Sequence, residues 1–168
     1  ERGYFSGARP YDVKTHVPLV VLSPEATGCH SDLVGLCDVP PTLLDLAGVD
    51  TPDSYTGTSL ARQWEGAEWP RTEVLGGWNP EAPTFVYRDE RWKYIRSEDG
   101  RMELYDLQAD PGEQDDLSGA SGHEATLASL ERGLLEHRER VGRSARESEP
   151  VERNEAVRER LRLLGYDE

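Results

Sequence analysis

Lysine, methionine and cysteine are scarce in this chain of 168 residues, and long apolar runs are missing. Lys14 and Lys93 are the two lysines among 19 basic residues, so arginine carries the rest of the positive charge. Met102 is the single methionine. The two cysteines, Cys29 and Cys37, form no Cys-x-x-Cys pair and have no histidine at zinc-ligand spacing. His30 adjoins Cys29, but one His and two Cys do not close a tetrahedral site. They read as ordinary thiols, with a disulfide left open. No apolar stretch approaches membrane-spanning length, and no basic-then-apolar leader is visible, so membrane insertion is not expected. Base is in deficit overall: 33 acids against 19 bases leave a net charge of −14. That argues against nucleic acid or an anionic membrane as the main partner. Two readings of this composition stay open, a salt-adapted (halophilic) cytosolic protein with a hydrated acidic surface and an ordinary acidic protein from a GC-rich genome. The location expected on this ground is cytoplasmic. The sequence opens on Glu1 without an initiator Met, as a fragment or a trimmed protein would.

What is present is a sequence of short, well-punctuated elements. "THVPLVVLSP" reads as a strand buried on both faces, because Val17, Leu19, Val20, Val21 and Leu22 alternate with nothing polar. "CDVPPTLLDLAGV" reads as a helix with Asp38 as N-cap, Pro40 and Pro41 in its first turn and Gly48 as its stop. Leu43, Leu44, Leu46 and Ala47 would form its buried stripe. A short helical turn is expected around "SLARQW". "TEVLGGW" and "TFVYRDERWKYIRSEDGRMELYDL" give one strand and then three more, with turns at Asp89–Glu90 and Asp99–Gly100. Connections this short make the sheet antiparallel. Ser121-x-x-Glu124 matches a capping box, and Leu127, Leu130, Leu134 and Val141 share one helical face. "RSARESEP" reads as a polar linker before a second amphipathic helix over 151–165.

Between the sheet and the helix lie Asp106, Asp110, Glu113, Asp115 and Asp116. An EF-hand register fails there, since Pro111 falls where glycine is needed and Leu117 where glutamate is needed. Pro111–Gly112 marks a tight turn, and the acids are expected to solvate it. The chemistry-bearing candidates are therefore sparse.

Four blocks carry a resemblance. "YDVKTHVPLVV", "CDVPPTLLDLAGV", the run from "WKYI" through "ELYDL" and "DPGE", and the ending "VRERLRLLGYDE" are similar, in this order, to the carboxyl-terminal region of sulfatases. The resemblance implies an alkaline-phosphatase-like α/β fold. Within this chain that means an α+β piece, the end of the large α/β domain over 1–70. A small antiparallel sheet packed by a C-terminal helix follows over 71–146, with a helical tail over 147–168.

It also implies hydrolysis of a sulfate ester, on a small molecule or a glycan. The family nucleophile is formylglycine, and a divalent cation, usually calcium, assists it. Neither cysteine here sits in a formylglycine motif, and Ser6-Gly7-Ala8-Arg9 misses it by one position. No Asp-His-Gly segment is present, so the metal ligands and the nucleophile are expected upstream of Glu1 and the chain alone is expected to be inactive. The family places a basic residue shortly before the pair matched by Tyr11–Asp12. The nearest cation is Arg9, which is the candidate sulfate contact, against a plain surface arginine beside Pro10. His16 is expected to be structural, and Lys14 has no family counterpart. A phosphoester hydrolase or phosphotransferase of the same superfamily, and a non-catalytic interaction module, are the alternatives. The oligomeric state is left open.

Overall fold

Alternation of side chains along short strands requires two different partners for the two faces of a sheet, and this chain supplies both. The computed structural model describes residues 9–22, 24, 28–64, 66–78 and 83–147. Its sheet has four strands in sequence order, β1 (Val74–Trp78), β2 (Thr84–Arg88), β3 (Trp92–Ser97) and β4 (Met102–Asp106), all antiparallel. Asp89 closes the β2–β3 turn by accepting from the N–H groups of Arg91 and Trp92. Gly100 takes φ +87° in the β3–β4 turn, a conformation that favours glycine. The expected strands and turns are therefore present.

Register decides what each face presents. Tyr94 pairs with Tyr87 and Leu104, and Ile95 pairs with Val86 and Glu103. The first set packs under a long helix, α4 (Glu124–Glu147), with Leu130 and Leu134 buried in the same cluster as Tyr94 and Leu104. Gly133 lets the helix settle on the sheet, since a Cβ there would lie 2.7 Å from the Tyr87 ring. Leu130→Ala is expected to cost about 2–5 kcal/mol in urea denaturation; a loss under about half a kcal/mol, within the usual surface range, would mean this face does not pack.

The helix starts later and ends later than expected. Gly122, at φ +95°, turns the chain after Ser121, so the capping box does not form. Instead the Glu124 carboxylate accepts from the Gly122 N–H, and the His123 ring stacks edge-on against Trp92. At the far end α4 runs on through Glu147, over much of the expected linker, as its Arg, Ala and Glu residues allow. The expected helix over 151–165 lies outside the described residues.

The amino-terminal third departs further from expectation. Residues 17–22 form no strand, and Val20 and Leu22 are 79% and 95% exposed. A strand buried on both faces needs flanking strands, and none among the described residues pairs with it. The first helix, α1 (Asp12–Thr15), is one turn long, and α3 (Ala61–Trp64) is the expected turn near Leu60.

Helix α2 (Val39–Leu46) ends as expected. The N–H groups of Gly48 and Val49 reach back to Asp45 and Leu44, with Gly48 at φ +67°. Its leucine stripe is not buried, however: Leu43 and Leu46 are exposed, while Pro41 and Thr42 are covered. Thr42 turns that side inward by donating to the Asp38 carbonyl and accepting from the Leu60 N–H. No helix among the described residues is long and apolar enough to cross a membrane.

Candidate functional site

The sheet face opposite α4 is apolar at its centre and ionic around it. Ile95, Tyr105 and Tyr11 form a buried cluster there, with Val86 and Leu107 against it. Lys93 and Glu103 are on the same face of β3 and β4 because they are two residues away from Ile95 and Tyr105. Lys93 is only 1% exposed. A buried ammonium needs partners, and two carboxylates supply them: Nζ lies 2.7 Å from Asp12 Oδ1 and 2.7 Å from Glu113 Oε1. Glu113 Oε2 accepts from the Asp12 backbone N–H at 2.6 Å, and Arg88 approaches Asp12 Oδ2 at 3.3 Å. Strand, turn and one-turn helix are thus joined through one cation.

Glu103 does the same at the other edge. Its Oε2 accepts from the hydroxyls of Tyr11 (2.9 Å) and Tyr105 (2.7 Å), and Arg9 forms an ion pair with Oε1. The two tyrosine rings meet edge-on, 6.2 Å between centroids. Together these contacts bind residues 9–15 onto the sheet. A cavity of about 440 Å3 lies beside them, lined by His16, Arg88, Asp12 and Glu113 among others.

This geometry corrects the reading of the acidic turn. Glu113 does not solvate it but is 2% exposed and sits at φ +53°, an uncommon backbone for a non-glycine residue. Asp110 accepts from the N–H groups of Gln114 and Asp115, and Asp116 from those of Leu104 and Ser118. Asp106 is paired with Arg91, whose hydrogen bonds hold its carboxyl below the usual range. Asp115 is exposed. These acids stitch the turn to β4, and Glu113 reaches across to Lys93.

A second lock sits at the start of α2. Asp38 makes no N-cap bond. Its fully buried carboxylate instead accepts from the Gly35 and Thr58 N–H groups and from both Arg71 guanidinium nitrogens, all within 2.7–2.8 Å. Gly57 makes this possible, because a Cβ there would fall 1.8 Å from the Cys37 carbonyl oxygen.

Of the candidates named from sequence, Arg9 is half-buried on Glu103, and His16 is exposed at the end of α1. Lys14 is half-buried in α1. Cys29 and Cys37 are free and exposed at the residue level. Burial of the Cys37 sulfur and the neighbouring Asp38 push its thiol up, which disfavours a nucleophilic role. Among the described residues no three His, Cys, Asp or Glu side chains are grouped to hold a metal ion. Every buried charge described above is answered by an opposite one, so these contacts hold chain segments together.

Comparison with known proteins decides what such a frame belongs to. The family described as N-sulphoglucosamine sulphohydrolase, C-terminal, matches residues 1–140. The chain belongs to the sulfatase family, as its carboxyl-terminal portion. Among curated relatives this sulfatase segment is 33% identical over 120 residues to arylsulfatase K of Bos taurus, covering 61% of the chain and 22% of that protein. It is 32% identical over 139 residues to the Delta 4,5-hexuronate-2-O-sulfatase of Bacteroides thetaiotaomicron, covering 75% of the chain and 29% of that protein. Among solved structures, a 2-O GAG sulfatase superposes with a TM-score of 0.57 at 30% identity, over 67% of this chain and 26% of its own. The sulfatase segment thus spans roughly a quarter of the length of these proteins. The mixed helix-and-sheet architecture, with four antiparallel strands, is that of sulfatase carboxyl-terminal domains.

Proposed function

We propose that the chain is the carboxyl-terminal part of an enzyme that hydrolyses a sulfate ester on an acidic sugar. The match of residues 1–140 to a sulfatase family carries this reading. The sugar is suggested by the names of two relatives, a hexuronate-2-O-sulfatase and a 2-O GAG sulfatase. Formylglycine and a divalent cation, calcium in this proposal, would be supplied by residues outside the present sequence. The residues in hand do not fit either group. Cys29 and Cys37 are followed by His30 and Asp38 in unsuitable contexts, and no metal-holding cluster occurs among the described residues.

The part's own task in this reading is to fix residues 9–15 against the sheet through Lys93, Glu113 and Glu103. Arg9 remains the proposed sulfate contact. Its pairing with Glu103 engages one side of the guanidinium, whose fork has further donors to offer.

The test compares the full-length protein with the 168-residue chain on nitrophenyl sulfate, a 2-O-sulfated unsaturated uronic disaccharide and nitrophenyl phosphate. Sulfate ester turnover by the full-length protein, lost on chelation, and none by the chain alone, is the expected result. Preference for the phosphate ester, or metal-dependent sulfate turnover by the chain alone, would overturn the proposal.

A further inference from the structure

In a chain with 33 acids and 19 bases, one groove brings three arginines and a histidine together. The groove, about 520 Å3, runs between β1 and the later half of α4. Arg71, His137, Arg138 and Arg140 line it, and Glu73 is the one acid among its lining residues. Leu134 and half-buried Val74, Leu75 and Phe85 give it an apolar floor. Gly76 and Gly77 leave part of the wall as bare backbone, since a Cβ at either would meet nothing within 4 Å.

The cations differ in how far they are committed. Arg71 is paired with Asp38. Arg138 sits over Phe85, its guanidinium carbon 3.8 Å from the ring centroid. That cation–π contact leaves guanidinium N–H donors available to a ligand. Arg140 donates to His137 Nδ1 at 2.8 Å, which leaves the proton of a neutral imidazole on Nε2. Among the described residues no carboxylate forms an ion pair with Arg138 or Arg140. Arg138 and Arg140 line the same groove, so an anion bound there would be attracted to both. Burial, with Arg140 adding to it, holds the His137 imidazole below its usual range. A bound anion would move it upward.

We propose that this groove binds an acidic saccharide unit, one bearing sulfate or carboxylate, through Arg138, Arg140 and His137. Charge complementarity selects an anion, and the size falls in the usual range for a small-molecule site. The apolar floor with its glycine wall suits the C–H face of a sugar ring. The choice of a saccharide over other anions rests on the function proposed above.

The experiment uses the full-length protein and three probes: a sulfated heparin-derived tetrasaccharide, the same tetrasaccharide after desulfation, and a Glu-rich peptide. Calorimetry on wild type and on Arg138→Gln/Arg140→Gln is expected to show the sulfated probe weakened about tenfold or more, as loss of charge-assisted hydrogen bonds implies. The desulfated arm separates sulfate recognition from carboxylate recognition. Turnover of nitrophenyl sulfate should not change in the variant. In wild type the His137 ring titration, followed by NMR, should shift upward on binding, and the shift should be absent in the variant. Arg138→Lys/Arg140→Lys, with melting temperature as a check on folding, should retain part of the affinity. Unchanged saccharide affinity in the Gln variant, no saccharide binding by wild type, or tighter binding of the peptide would each overturn the proposal. Loss of saccharide binding in a protein that turns over no sulfate ester would leave the groove standing and remove the hydrolase reading.

Discussion

Asp38→Ala will cost about 3–5 kcal/mol of folding free energy, the range for breaking a buried ion pair by removing one partner. The carboxylate is fully buried and answers four donors that come from three separate segments: Gly35, Thr58 and Arg71. With alanine there, the Arg71 guanidinium loses both of its bonds to the carboxylate in a half-buried setting, and two backbone N–H groups lose their acceptor. Each orphaned buried donor alone costs about 1–3 kcal/mol, and these losses do not add fully because they share one site. Asp38→Asn should recover only part of the loss. It keeps the shape, but its amide turns two donors toward a donor on Arg71 or on the backbone. Urea denaturation followed by tryptophan fluorescence is the measurement, with an unchanged m-value showing that stability alone has moved. A loss under about 1 kcal/mol for the alanine variant would put Asp38 among ordinary surface carboxylates and remove the lock.

Asp38 also shows where the sequence was legible and where it was not. Its neighbours Pro40, Pro41 and Gly48 announce α2 correctly, because proline and glycine act through local backbone geometry. The Asp38 side chain was assigned to the same helix on the same local logic. Two of its partners, Thr58 and Arg71, lie 20 and 33 residues away, and no local pattern reveals them. The four strands were legible for a local reason too, since Tyr87, Trp92, Tyr94, Ile95, Leu104 and Tyr105 supply aromatic and β-branched content and the turns carry Asp and Gly.

The strand pattern over 17–22 was equally clear and yet forms no strand. Pairing requires a partner backbone, and composition cannot show whether one is present. At the α4 start, Ser121 and Glu124 have capping-box spacing, but Gly122 redirects the chain between them. The acidic turn was misread because Glu113 resembles its solvated neighbours in sequence. One signal pointed the other way. Lys93 is one of two lysines in an arginine-rich chain, set between Trp92 and Tyr94 in a strand buried on both faces, and a lysine there demands acidic partners.

That demand gives the second large effect. Lys93→Met fits the methylene stem of the lysine but removes the charge between Asp12 and Glu113. Glu113, 2% exposed and held at φ +53°, is then left as a buried carboxylate with only the Asp12 N–H for compensation. Asp12 keeps Arg88 at 3.3 Å and is less affected. Loss of one partner from a buried pair is expected to cost about 3–5 kcal/mol. The sign of the combined change is the sharper test. Lys93→Met with Glu113→Gln should be more stable than Lys93→Met alone, because the amide can still accept from the Asp12 N–H and no charge remains buried without a partner. A double-mutant cycle should therefore give a coupling of roughly 1–3 kcal/mol, within the range seen for residues in one network. Purely additive single effects would mean that Lys93 and Glu113 do not sense each other. Residues 9–15 would then rest on the sheet through Glu103 and the tyrosines alone. Limited proteolysis reads the same link independently, since loss of the lysine should open cleavage within residues 12–16 before the sheet itself unfolds, as expected when a local segment loses its anchoring contacts.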